Sequence, residues 1–273
     1  PPPGALATRQ PARRRPPPPM GRAEASTRVG VLGLVAIGFF WVHGGIYGNE
    51  ALLSAAPPAY VFALLIAAPI LYSLPIALIV AELATAWPAD GGYVVWVQMA
   101  CGKAVGAHHA FWVWVIYAAD AAIYPVLLAA YVAEAVPLTA GGRGLVATGV
   151  VALVTAVNLR GVDAIVRLSA VLSVLSLLPA VAFVALGAPR VEPRVVLRHE
   201  GPVDWSLLLS WVLWLYCGFF SLGTLAGDLH SPRRTFLCAL ALLLPAVVAL
   251  DTLPLLVALS IDPDQRNYAA GYY

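Results

Sequence analysis

The chain has 273 residues, of which 61% are apolar and 11% charged, with a formal net charge of +2. A soluble globular domain carries about 25% charged residues, so this composition excludes a water-coated enzyme, a disordered chain and a secreted disulfide scaffold. The mean hydropathy of +0.83 points instead to a multi-span membrane protein, with the lipid bilayer as its main partner and no nucleic acid.

Residues 1–28 hold proline clusters and six arginines but no apolar segment. They read as a disordered basic Pro/Arg-rich cytoplasmic tail, not a secretory signal. The first residue is proline and not methionine, so the chain is expected to be a fragment of a longer product. From Val29 onward the apolar runs predict seven spans, at 29–56, 58–87, 103–134, 144–160, 164–187, 205–229 and 235–260. Each run approaches or exceeds the roughly 20 residues a helix needs to cross a bilayer. The runs do not alternate in polarity, which argues against a β-barrel. The expected organisation is therefore an all-α membrane domain over 29–260, with 261–273 starting an outer loop. Cys101, Cys217 and Cys238 are far apart and without metal spacing, so no cofactor or metal is implied.

Orientation follows Lys and Arg. With the N-terminus inside, the tail arginines, Lys103, Arg160, Arg167, Arg233 and Arg234 are inner, eleven in all, against five outer ones at 143, 190, 194, 198 and 266. The tail supplies the whole difference.

The first and sixth spans carry glycine clusters. Gly44, Gly45 and Gly48 interrupt the first, and Gly218, Gly223 and Gly227 the sixth. Each weakens a helix by roughly 1 kcal/mol relative to alanine. One such helix alone reads as close helix packing. Two broken helices five spans apart read as the substrate site of an inverted-repeat (5+5) transporter. Non-helical backbone at that depth persists only when buried in protein or lining a wet cavity.

Further motifs carry a family likeness. The stretch Pro75 to Trp96, with Glu82, Pro88, Asp90, Gly91, Gly92 and Tyr93, resembles the second helix and inner loop of the amino acid–polyamine–organocation superfamily. The nearest likeness is to its plant and protist polyamine and amino acid transporters. Shorter matches are His43–Gly48, Asp120–Leu127, Asn158–Gly161 and Thr224–Thr235, so the likeness covers about residues 30–273. Such proteins have twelve spans. The resemblance therefore implies a complete first repeat and a second one represented by two helices.

Four acids, Glu50, Glu82, Asp120 and Asp251, lie within apolar segments. A charge at the bilayer centre costs about 2.5–3.5 kcal/mol even on the mildest scale. Gly45 and Asp120 lie ~24 and ~26 Å along their helices, at 1.5 Å per residue, so Glu50 and Asp120 are expected at similar depth. The resemblance places acids at both positions. Together they would bind an ammonium group, with polar helix–helix contact as the alternative. Glu82 is expected to cap or pair near Lys103 or Arg167, Asp251 to bond backbone freed by Pro254, His43 to make a helix-end hydrogen bond, and Asp90-Gly91-Gly92 to form a cytoplasmic turn. The resemblance makes Trp214 a cover for bound substrate, while other aromatics at the breaks read as packing. It also puts Phe220 where relatives often have an acid.

The function implied is a secondary active transporter, not an enzyme, in the plasma membrane. It would move polyamines by proton-coupled uptake, through a site built from Gly44, Gly45, Ile46, Gly48, Glu50, Asp120, Tyr124, Trp214, Gly218 and Ser221. An amino acid permease, whose ligand carboxylate would bind the glycine amides, and a truncated membrane protein without transport activity are the alternatives.

Overall fold

The computed structural model describes residues 29–43, 49–229 and 231–268, the side chains at 131, 134 and 135 aside. The expected tail, the end of the expected outer loop and four of the expected site residues (Gly44, Gly45, Ile46 and Gly48) lie outside the described residues. Among the described residues there is no strand. The helices are α1 (Val31–Val42), α2 (Leu52–Ala55), α3 (Pro58–Ala68), α4 (Leu74–Ala86), α5 (Tyr93–Cys101), α6 (Lys103–Ala135), α7 (Ala140–Asn158), α8 (Val162–Gly187), α9 (Trp205–Leu215) and α10 (Pro232–Ile261).

Six stretches are long and apolar enough to cross a membrane: Pro58–Ala86, Lys103–Ala130, Ala140–Asn158, Val162–Arg190, Trp205–Asp228 and Pro232–Ile261. They coincide with the second to seventh predicted spans. The first is not one helix. α1 has only 12 residues, caps at His43, and the chain is described again from Asn49 in a turn that enters the four-residue α2. The short α5, absent from the predicted spans, begins directly after the Asp90-Gly91-Gly92 turn.

The buried core lies where α1, α3–α4, α9 and α10 converge, around Leu34, Leu65, Val212, Phe219, Leu222 and Leu243. α8 packs against α1 and α10, and the α6–α7 hairpin leans on α5 and α8. α7 buries no residue, and α6–α8 expose large apolar side chains such as Phe111, Trp114, Leu153 and Leu178. Apolar faces of this extent suit acyl chains rather than water.

Both ends of the core are tied by main chain. At one membrane face the Val29 N–H donates to the Asp228 carbonyl at 2.8 Å. At the other, the 188–204 connection forms two short 3₁₀ turns, and its Arg198 carbonyl accepts from the Ala59 N–H at 2.9 Å. Asp204 then caps α9, accepting from the Leu207 N–H at 2.9 Å, the usual N-terminal solution for an orphan helical amide.

Candidate functional site

The sixth span breaks where its glycines predicted. α9 stops at Leu215, Gly218 takes φ +95°, and the chain continues as a 3₁₀ segment over Phe219–Asp228. Only glycine adopts that backbone without strain. A Cβ at 218 would also overlap the Trp41 carbonyl oxygen and lie 3.1 Å from its carbon. The break therefore sits directly on the end of α1.

A broken helix leaves carbonyls without partners, and the second span supplies them. Its Pro69–Ser73 stretch is a π turn joining α3 to α4. The Ser73 hydroxyl donates to the freed Tyr216 carbonyl at 2.9 Å. In return, Pro69 has no N–H for the Leu65 carbonyl four residues earlier, and the Tyr216 hydroxyl donates to that carbonyl at 2.8 Å. Each interruption thus satisfies the other. Nothing in the sequence pattern marked the π turn, because its residues are as apolar as those around it.

α6 faces the break from the other side. Tyr117 and Ser221 meet hydroxyl to hydroxyl at 2.5 Å, and the Tyr93 hydroxyl donates to that of Tyr117 at 3.3 Å. The Tyr93 ring also stands edge-on to Phe220, centroids 5.5 Å apart. One turn further along α6, half-buried Asp120 lies within electrostatic reach of Cys217. The Tyr124 hydroxyl points at Asp120 Oδ2 from 3.4 Å. The structure therefore brings Asp120, Tyr124, Gly218 and Ser221 to one wall, and adds Tyr117, which no sequence feature distinguished from its aromatic neighbours.

Glu50 is 1% exposed, in the turn between the end of α1 and α2. Trp214 is half-exposed on α9, edge-on to Trp211 at 5.4 Å. The charge balance of this region is one-sided. No Lys or Arg lies between Arg28 and Lys103, between Lys103 and Arg143, or between Arg198 and Arg233. Acids set in stretches of chain that carry no Lys or Arg favour a cationic ligand, held by charge-assisted hydrogen bonds.

Several expectations need correction. Glu82 is exposed on α4 and, among the described residues, forms no ion pair, since its helix face turns away from the core. Asp90-Gly91-Gly92 is more than a turn, because it docks on the 3₁₀ segment. The Gly91 N–H donates to the Thr224 carbonyl at 3.1 Å. Gly92, at φ +46°, approaches Gly223 so closely that a Cβ would lie 2.5 Å from its carbonyl carbon. The Asp90 carboxylate accepts from the Gly227 and Asp228 amides, while burial and the neighbouring Asp228 push its carboxyl above the usual range. Asp251 does not bond backbone freed by Pro254, and the His43 ring bonds no helix-end carbonyl among the described residues. They face each other instead, with Nδ1 and Oδ1 3.4 Å apart.

Comparison with known proteins gives a consistent outcome. A family model described as amino acid permease matches residues 27–271. The polyamine transporter PUT1 of Oryza sativa subsp. japonica is 34% identical over 260 residues, 93% of this chain and 49% of its own length. The polyamine transporter RMV1 of Arabidopsis thaliana is 34% identical over 252 residues, 90% of this chain and 51% of its own. An uncharacterized transporter of Legionella pneumophila is 29% identical over 227 residues, 74% of this chain and 46% of its own. The chain thus spans about half the length of the curated relatives it matches. No solved structure matches it.

Proposed function

The chain belongs to the amino acid permease family, and from that premise we propose that the whole protein is a secondary active transporter of polyamines. Uptake is coupled to protons, in the plasma membrane. One observation carries the choice of substrate: Asp120, with the Tyr124 hydroxyl donating to it at 3.4 Å, lies within electrostatic reach of Cys217 at the opened stretch, on runs of chain without Lys or Arg. Glu50, buried beyond the end of α1, supplies the second carboxylate for a ligand with several ammonium groups. Gly44, Gly45, Ile46 and Gly48 complete the site from the first break, Ser221 lines it, and Trp214 covers it from α9.

A second reading, an amino acid permease, rests on the family description and on the glycines at 44, 45 and 48, whose amides would bind a ligand carboxylate. Glu50→Gln and Asp120→Asn decide between the two readings when made in the whole protein at matched surface expression. A charge-assisted hydrogen bond contributes roughly 1.5–3 kcal/mol, so polyamine affinity should fall on the order of 10- to 100-fold in each variant. Unchanged polyamine affinity in both would remove the carboxylates from the site and leave the amino acid reading.

A further inference from the structure

The end of α1 and the middle of α10 meet at a polar contact sealed from solvent. The side chains of His43 and Asp251 are 1% and 0% exposed, with His43 Nδ1 3.4 Å from Asp251 Oδ1. Asp251 is ~28 Å along α10 from Pro232 at 1.5 Å per residue, so neither end of the helix brings it to water. The Phe39 ring closes one side, edge-on to the imidazole at 5.8 Å. The Tyr216 hydroxyl, while donating to Leu65, lies within interaction range of the Asp251 carboxylate. The Asn49 side chain donates to the main-chain carbonyl of Asp251 at 2.9 Å.

Among the described residues, the neighbouring elements supply no countercharge. α8 carries no charged residue between Arg167 and Arg190, α3–α4 only the distant Glu82, and residues 44–48 none. Arg190 and Arg194, on the turns over the far end of α10, are exposed. Among the described residues, His43 from α1 and Tyr216 from the sixth-span break are the titratable groups that face Asp251, and the buried acid Glu50 follows Asn49 in the turn before α2. An ionised Asp251 beside a neutral His43 would leave one net negative charge in an apolar shell, at a cost of several kcal/mol. One added proton makes the pair neutral, and a second would make it a buried cation. The dry shell also disfavours separated charges, so the single proton belongs on the carboxyl, which faces Nδ1 across 3.4 Å.

We propose that His43 and Asp251 form a proton-binding site at the junction of the first-span break with the seventh span. In the closed protein the proton sits on Asp251 Oδ1 and faces His43 Nδ1. When α1 and α10 part and water enters, the O–H bond breaks, the proton passes to water and Asp251 becomes a carboxylate. Resting on the transport reading above, this is the site of the coupling proton. Asn49, bonded to Asp251 and adjacent to Glu50, links it to the substrate region.

The test is pH-difference infrared spectroscopy on the purified full chain in detergent, without substrate. The expected result is a carboxylic-acid band present at neutral pH, absent in Asp251→Asn, and shifted in His43→Gln, which changes the acceptor while leaving the acid. If Asp251→Asn does not fold, the His43→Gln shift and the wild-type band in protein made with carboxyl-labelled aspartate decide the matter. No carboxylic-acid band at neutral pH in the wild type, or one untouched by both variants, overturns the proposal. In the whole protein, Asp251→Asn should also flatten the dependence of uptake on an imposed pH gradient. Retained gradient dependence would show that the coupling proton sits elsewhere. Failure of the wild type to take up any polyamine would overturn the transport reading alone and leave the infrared result to judge the proton site.

Discussion

Gly218→Ala probes how closely the sixth-span break lies on the first helix. The substitution has two separable costs. Holding alanine in the left-handed region costs about 1–2 kcal/mol. The added methyl would overlap the Trp41 carbonyl oxygen and lie 3.2 Å from Val42 Cα, so α1 must shift or the break must reopen. Both partners are backbone, and no side chain can turn aside. Overpacking of this kind costs typically 1–3 kcal/mol, giving a total of about 2–5 kcal/mol. Two comparisons isolate the terms. Gly201 has φ +134° but meets only the Pro57 ring at 3.4 Å, so Gly201→Ala carries the backbone cost with little clash. Gly149 lies in α7 with nothing within 4 Å of a built Cβ, and Gly149→Ala should stabilise by ~0.5–1 kcal/mol. The assay is reversible unfolding in mixed micelles, followed by circular dichroism. The expected order of stability is Gly149→Ala, wild type, Gly201→Ala, Gly218→Ala. A Gly218→Ala protein as stable as Gly201→Ala would refute the close docking of the break on α1.

Ser73→Ala should destabilise by about 1–3 kcal/mol in the same assay, because it removes the donor from a buried carbonyl. Thr85→Ala, whose hydroxyl bonds only the Ala81 carbonyl of its own helix, should change stability by less than about 0.5 kcal/mol. A cysteine replacing Glu192, in a background lacking Cys101, Cys217 and Cys238, should react with an impermeant reagent in intact cells, as the Lys/Arg bias requires. Labelling only after permeabilisation would reverse the topology. At the 262–268 turn, hydrogen bonds from Arg266 hold the Asp264 carboxyl down at about 2. The pair should therefore persist through neutral pH and come apart only as pH falls from the ordinary carboxylate range towards that value. Carbon-13 NMR should show the titration of Asp264 return to the ordinary range in Arg266→Gln.

The spans and the sixth-span break were legible because their causes are local. Length and apolarity define a crossing, and Gly218 is followed by Gly223 and Gly227 within one apolar run. The features that organise the site are not local. Ser73 and Tyr216 meet across two helices that share no spacing signal, and the π turn has the same residue types as the helix around it. Asp251 stood out by its cost in hydrocarbon, but its partner His43 is on a helix far away in sequence. Tyr117 was hidden among Phe111, Trp112 and Trp114, since an aromatic on a membrane helix is ordinarily packing. The docking of Asp90-Gly91-Gly92 eluded sequence reading for a similar reason, because its contacts are made by main chain.

The reciprocal exchange between Ser73, Tyr216 and Leu65 has a mechanical consequence. Sliding the second span past the sixth by even one residue would strand two buried carbonyls at once, so these spans act as a single girder. Val29, bonded to Asp228, fastens the first span to the same girder at one end. Compliance is left to the seam between α6 and the sixth-span break, where Tyr117–Ser221 is the described hydrogen bond. Two hydroxyls can be traded for water at little cost, whereas a proline-orphaned carbonyl cannot. A rocking motion in this protein would therefore open along α6 before the girder bends.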